Sequence, residues 1–267
     1  MFPIAAGLVR STGGRPSSWA ATGRSGGVSH PPFDSLNLAG YVGDDDDHVL
    51  ANRRRLAETV GASGRRMAVM DAVHGASVAT VSGSGVVAGV DGLVTQEPGL
   101  AIVALGADCV PVGLVGDDGR TIGVAHCGWR GLVVDVVGSL LSVLHDHGCG
   151  VAFAVLGPAV CGACYPVPAE RAGEVARRRS AAVSSVALTT CADGQSGIDV
   201  RRGVGARLIE LGVEERVIVT AGGCTVEDRD LFSYRRDGIT GRQGVAVCLA
   251  PGPVDDHARR GFARMEP

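Results

Sequence analysis

The run "LAIVALGADCVPVGLV", residues 100–115, is followed closely by "TIGVAHCGW", residues 121–129. Both stretches are apolar over the length of a strand, rich in β-branched residues and bounded by turn residues, the pattern of buried strands. Each breaks off at a reactive side chain, Cys109 in "GADCVPV" and His126 in "AHCGWRG", with glycine nearby. Pro111 removes a backbone donor, so the first strand is expected to end, or to lie at an edge, near Cys109. After His126 and Gly128 the chain turns into "GLVVDVVGSLLSVLHDHG", residues 131–148, whose apolar spacing and terminal glycine predict a helix packed on the sheet. The strand–turn–helix corner around Arg130 offers free backbone amides and partial positive charge to an anion.

The same reading extends outward. Further strand runs are "RMAVMDAVHG" (66–75), "SVATVSG" (77–83), "DGLVTQ" (91–96), "VAFAVLGPAV" (151–160), "RVIVTAGGCTV" (216–226) and "GVAVCLA" (244–250). Helices are predicted over "DDDDHVLANRRRLAETVG" (44–61), "PAERAGEVARRRSAAV" (168–183) and "DVRRGVGARLIELGV" (199–213). Residues 11–35, rich in Gly, Ser and Pro, read as a long loop or an irregular hairpin. The acidic run Asp44–Asp47 reads as a charged helix start, because a calcium loop needs spaced oxygen ligands and a glycine turn. The expected fold is α/β (α+β), a mixed β-sheet core flanked by helices. With no internal repeat and no linker, residues 1–267 are expected to form a single domain.

With 45% hydrophobic and 20% charged residues, the chain has the balance of a soluble globular protein. A net charge of −3 gives no basic footprint for nucleic acid. All 25 basic residues are arginine, which excludes Schiff-base chemistry on a lysine. No segment approaches a membrane span, and the N-terminal apolar run is too short for a signal core, so a cytoplasmic location is expected. Eight cysteines in a chain this long do not make a disulfide scaffold; in a reducing compartment they are buried small hydrophobes, metal ligands or nucleophiles.

His74, in "VHG" between two short strands, sits at a turn. With Cys109 and His126 it would make a three-ligand zinc site with one position open, the pattern of catalytic zinc. Asp108, beside Cys109, either turns away to hold the backbone or enters the site with it. Cys127 reads as structural, and so do Cys161 and Cys164 of "CGAC", which lack a second such pair. In "DLFSYRRDGITGRQG", residues 230–244, Arg235, Arg236 and Arg242 are interleaved with aromatics and glycines. Paired arginines near a pocket suit an anionic substrate or inorganic phosphate.

In order along the chain, "GGVS…SLNL", "VGDD", "VHG", "GADCVPV", "AHCGWRG", "GPAVCGACYPV" and "SYRRDGITGR" resemble the laccase-domain (YfiH-type) family over residues 26–244. That group is described as purine nucleoside phosphorylases and polyphenol oxidases. The resemblance implies a fold similar to the catalytic domain of cytotoxic necrotizing factor toxins, with zinc (copper being the other metal considered) held by His74, Cys109 and His126, which also form the catalytic centre. It implies phosphorolysis of adenosine, inosine and methylthioadenosine, and deamination of adenosine. Ser35 and Asn37 of "SLNL" join Asp108, Arg130, Arg235 and Arg236 as candidate substrate or phosphate contacts. The chain departs from the family pattern at Ala72, Gly106 and Cys127, where glutamine, threonine and alanine are usual. Two other enzyme classes are considered: a cysteine hydrolase or amidase using Cys109 and His126, linked to peptidoglycan-precursor editing, and a copper oxidase, which needs more histidines than seven spread through a chain. The partners expected are a purine nucleoside and inorganic phosphate, with neither nucleic acid nor membrane, acting on a monomer or homodimer.

Overall fold

The computed structural model describes residues 2–11 and 14–251. Residues 12 and 13 of the expected loop, and the part of the expected domain beyond residue 251, lie outside the described residues. In chain order the elements are β1 (Ala5–Val9), β2 (Ser17–Ala21), α1 (Asp46–Thr59), β3 (Met67–Asp71), β4 (Val78–Thr80), β5 (Gly85–Ala88), β6 (Gly92–Thr95), β7 (Ala101–Gly106), β8 (Val110–Gly116) and β9 (Ile122–Cys127). They continue with α2 (Trp129–Val134), α3 (Val136–Asp146), β10 (Val151–Leu156), α4 (Ala169–Arg178), α5 (Ala181–Ala187), β11 (Leu188–Thr190), β12 (Ser196–Ile198), α6 (Val200–Glu210), β13 (Ile218–Thr220), α7 (Tyr234–Asp237) and β14 (Gln243–Leu249).

Two six-stranded mixed sheets carry the fold, in the orders β1-β2-β14-β7-β3-β5 and β13-β10-β8-β9-β6-β4. Their facing surfaces share one core, in which Met70, Ile102, Val245 and Val247 of the first sheet meet Leu93, Ile122, Val124 and Val155 of the second. The outer face of the first sheet packs Val69, Val103 and Ala246 against Leu56 and Ala57 of α1. The outer face of the second carries the helices, with Val112 and Leu114 buried against Leu140, Leu144, Val204 and Leu208. Strands covered on both sides have no solvent face to mark, so every residue of β7, β8, β9 and β14 is buried and all but His126 and Gln243 are apolar or glycine. Each such Val or Leu is worth ~1.5–3 kcal/mol of burial. Gly113 in β8 lets the sheets close: a Cβ there would come within 2.9 Å of Val245, Val155 and Val247. The architecture is mixed α+β, as expected. Among the described residues no helix is long and apolar enough to cross a membrane.

Local readings change where tertiary contacts override pattern. The glycine- and serine-rich N-terminal stretch contains β2, an inner strand paired with both β1 and β14. The break expected near Cys109 is present, since β7 ends at Gly106, but the chain resumes as a new strand before Pro111. Pro111 is the second residue of β8, opposite His126 in β9, near enough to the strand start for the missing donor to be tolerated. The apolar helix divides at Asp135, a left-handed residue (φ 69°) whose carboxylate caps Gly138 and pairs with Arg179 (3.0 Å) and Arg207. The helix expected over 168–183 breaks at Ser180, whose hydroxyl caps α5. The start of α1 behaves as read, with Asp45 accepting from the amides of Asp47 and His48.

Candidate functional site

The chain crosses from the first sheet to the second in three neighbouring connections: β3 to β4, β5 to β6, and β7 to β8. The first crossing carries His74, the second Asp91 and the third Cys109. His126 projects from β9 of the second sheet. The ligand atoms of His74, Cys109 and His126 all lie within 4.8 Å of one another. The His74 and His126 rings meet edge to face with centroids 4.7 Å apart, and His74 Nε2 is 3.9 Å from Cys109 Sγ.

Asp91 organises this group. Its side chain is fully buried. Oδ1 accepts hydrogen bonds from His126 Nδ1 (3.0 Å) and the His74 amide (2.8 Å), and Oδ2 from the amides of Gly75 (2.7 Å) and Val73 (3.3 Å). A carboxylate can only accept here, so His126 holds its proton on Nδ1 and turns Nε2 toward Cys109 and His74. The three backbone bonds also hold His74 at φ 62°, a left-handed conformation that a histidine adopts only when its surroundings impose it. Burial disfavours the Asp91 charge, but the bonds from His126, Gly75 and His74 keep its carboxyl below the ordinary carboxylate range. Asp91 was missed in the sequence, where an aspartate next to glycine before a strand reads as a turn residue.

Gly128 leaves the space the trio needs. A Cβ at this position would stand 2.9 Å from Cys109 Sγ and 3.2 Å from His74 Cδ2. Burial opposes ionisation of Cys109, yet the adjoining His126 and His74 rings bring its thiol down to about 6. Burial likewise opposes protonation of His126, yet the Cys109 sulfur and Asp91 hold it up to about 9. Ionised together, the pair is a thiolate beside an imidazolium; loss of the Nε2 proton on metal binding leaves a soft thiolate ligand beside an imidazole. A thiolate and two imidazoles at this spacing fit zinc, with a further coordination position left for solvent or substrate.

The trio lies in a cleft of 820 Å³ also lined by Tyr41, Asp108, Trp129, Tyr165, Tyr234, Arg235 and Arg242. That volume suits a small organic ligand. The Arg235 guanidinium stacks on Tyr165 at 4.6 Å, and Arg242 lies 5.9 Å from the rings of both Tyr41 and Tyr234. Asp108 lines the cleft, but its carboxylate is engaged as an anchor. It accepts from the hydroxyls of Thr225 (2.6 Å) and Ser233 (2.7 Å) and from the Arg235 amide (2.7 Å), tying the β7–β8 turn to the segment that carries the arginines.

The remaining candidates lie elsewhere. Arg130 is exposed at the start of α2 and is not part of the cleft lining. Arg236 points into the protein, donating to the carbonyls of Thr225, Asp228 and Leu231 and pairing with Asp237. Ser35 accepts from the Gly27 amide. Asn37 is buried and bonds Ala39, Asp44 and the Arg242 amide, which braces the cleft from behind. Of the residues singled out in the sequence, the cleft gathers His74, Asp108, Cys109, His126, Arg235 and Arg242.

A family model described as multi-copper polyphenol oxidoreductase laccase matches residues 18–250. A purine nucleoside phosphorylase of Streptomyces coelicolor is 44% identical over 233 residues, covering 85% of this chain and 93% of that one. The purine nucleoside phosphorylase YfiH of Escherichia coli is 35% identical over 232 residues, covering 85% and 91%. The crystal structure of YlmD from Geobacillus stearothermophilus superposes with a TM-score of 0.79 at 30% identity, covering 91% of this chain and 98% of that one.

Proposed function

This chain belongs to the multi-copper polyphenol oxidoreductase laccase family, and we propose that it is a zinc-dependent purine nucleoside phosphorylase that also deaminates adenosine. The observation that carries this reading is the convergence of His74, Cys109 and His126 in an open cleft also lined by Arg235 and Arg242. The names of its relatives support the phosphorylase part of this reading. His74, Cys109 and His126 would hold the metal. When bound, zinc supplies a Lewis acid and activates water, the nucleophile that replacement of the adenine amino group requires.

The chain's own residues do the rest. Arg235 is held by stacking on Tyr165 and Arg242 by bonds from its NH1 to the Thr240 and Gly241 carbonyls, so they can meet a phosphate dianion without first losing much freedom. Tyr41 and Trp129 give the purine flat apolar faces. In phosphorolysis a phosphate oxygen forms a bond to C1′ of the ribose while the C1′–N9 bond breaks. The purine departs with the bonding pair and takes up a proton from solvent water. Tyr165 keeps its own proton, because burial and then the negative Cys109 push its hydroxyl up, and so it can donate a hydrogen bond to the base. The test is turnover of adenosine and inosine by the purified zinc-loaded protein with and without phosphate. Phosphate-dependent release of free base and ribose 1-phosphate is expected. Zinc-loaded protein that releases no base would overturn the proposal.

One observation favours a second reading. Cys109, His126 and Asp91 also stand as nucleophile, base and orienting carboxylate, and a thiol lowered to about 6 is a competent nucleophile for an amidase acting on peptidoglycan precursors. Such a pair has no use for His74, which the same aspartate aims at the same sulfur, and this second imidazole supports the metal reading. A multicopper centre needs more imidazoles than the two that meet here.

A further inference from the structure

The turn read as structural in "CGAC" meets a distant segment. Cys161 and Cys164, on the single 3₁₀ turn after β10, come together with Cys224 and Glu227, which follow β13. The four ligand atoms all lie within 4.8 Å of one another. Tetrahedral zinc with Zn–S bonds of about 2.3 Å holds its ligand atoms about 3.8 Å apart, so small side-chain rotations close the set. The Cys161 amide points at Cys224 Sγ (3.4 Å), an N–H···S bond of the kind that favours a thiolate, and Cys164 Sγ lies 3.5 Å from Glu227 Oε1. Cys224 is buried, Cys161 and Cys164 are half-buried and Glu227 is exposed, which gives an ion a way in. All the cysteines are free thiols.

We propose that Cys161, Cys164, Cys224 and Glu227 form a second metal site that holds a zinc-class divalent cation through three thiolates and a carboxylate. Three thiolates exclude magnesium and calcium, which take oxygen ligands, and select a borderline-soft ion. Four protein ligands make the site closed and structural. Its position gives it a task. Tyr165 follows Cys164 directly, and Thr225 follows Cys224 directly and donates to Asp108. A cation there would clamp the turn that carries the Arg235-stacking tyrosine to the segment after β13 that anchors the Cys109 turn. The site is independent of the activity proposed above.

The test uses Co²⁺ as the probe in Cys109→Ala protein, which removes the only thiolate of the other site. One Co²⁺ per chain is expected, with thiolate-to-cobalt absorption roughly threefold that of a one-thiolate site. Adding Cys161→Ser and Cys164→Ser should abolish it. If those variants fail to fold, wild-type protein serves: Zn²⁺ should slow alkylation of the peptides carrying Cys161, Cys164 and Cys224 at least tenfold, and a chelator should restore it. Absence of the cobalt band from folded Cys109→Ala protein, alkylation indifferent to metal, or a Cys161–Cys164 disulfide in protein purified under reducing conditions would each overturn the proposal.

Discussion

Replacing Asp91 by asparagine keeps the size of the side chain and removes what it does. In the native protein each carboxylate oxygen accepts two donors: Oδ1 from His126 Nδ1 and the His74 amide, Oδ2 from the Gly75 and Val73 amides. An asparagine has one acceptor oxygen, so in either orientation its NH₂ faces two donors. Leaving a buried donor unsatisfied costs about 1–3 kcal/mol, and the loss here should total about 3 kcal/mol. At about 2–4 °C per kcal/mol for a chain of this size, the metal-free protein should melt roughly 6–12 °C lower. If the NH₂ turns toward His126, the ring must move its proton to Nε2 and surrenders its ligand atom. Loss of such an orienting partner weakens zinc by about 10–100-fold. The assay is competition with a chromophoric chelator, paired with thermal melts of metal-free protein. A lower melting temperature with zinc affinity within about threefold of wild type would refute the orienting role, since a lost ligand-positioning bond must appear in the affinity.

Further expectations follow from the same geometry. In chelator-stripped protein, alkylation of Cys109 should show a midpoint near 6; because the shift is downward, reactivity is full above that pH and falls below it, whereas a midpoint near ~8.5 would mean no ion pair with His126. With zinc bound, mass spectrometry should find the Cys109 peptide protected, and labelling equally fast with and without chelator, with activity lost in step, would favour the hydrolase. Gly128→Ala drives a methyl into Cys109 and His74 and should lower zinc affinity at least about tenfold, at a stability cost of about 1–3 kcal/mol; isolation with full zinc would refute the close-approach argument. Arg235→Ala should raise the KM for phosphate about tenfold or more with little change in melting temperature, the cost of a lost ion contact. Arg236→Ala should instead destabilise by about 2–4 kcal/mol, and Arg130→Ala should change neither quantity; a phosphate effect confined to Arg130 would move the anion site to the start of α2.

The legible part of the site was the part encoded locally. Cys109 and His126 stand at the ends of apolar runs and His74 in a glycine turn, so residue type and strand ends were enough to propose them. The supports were hidden because they act over distance or in ambiguous company. Asp91 lies 35 residues from the histidine it orients, and Asp108 reaches 117 and 125 residues to Thr225 and Ser233. Arg235 and Arg236 are adjacent and identical in type, yet one stacks in the cleft and the other caps buried carbonyls; only the path of the backbone through α7 separates them. In the fold, the strongly apolar runs gave β7, β8, β9 and β14 directly. β2 is open in the sequence between a loop and an irregular hairpin because its serines and glycine-rich surroundings imitate a loop, and its strand character comes from pairing with β1 and β14. The division at Asp135 depends on Arg179 and Arg207, neither of which is near it in sequence.

His74, Asp91 and Cys109 each occupy a stretch where the polypeptide passes from one sheet into the other. Neither sheet by itself contains the donor set, so a chain with separated sheets has scattered ligands and no high-affinity site. Contacts of this sequence separation close late in folding. Capture of a metal ion should therefore trail burial of the inter-sheet core in a refolding experiment, and amide protons of the two sheets should become protected before the ion is retained. Mass action then works in reverse: each tenfold excess of metal over its dissociation constant adds about 1.4 kcal/mol against prying the sheets apart. An ion held by His74, Cys109 and His126 would act as a latch that can shut only on a correctly docked sandwich.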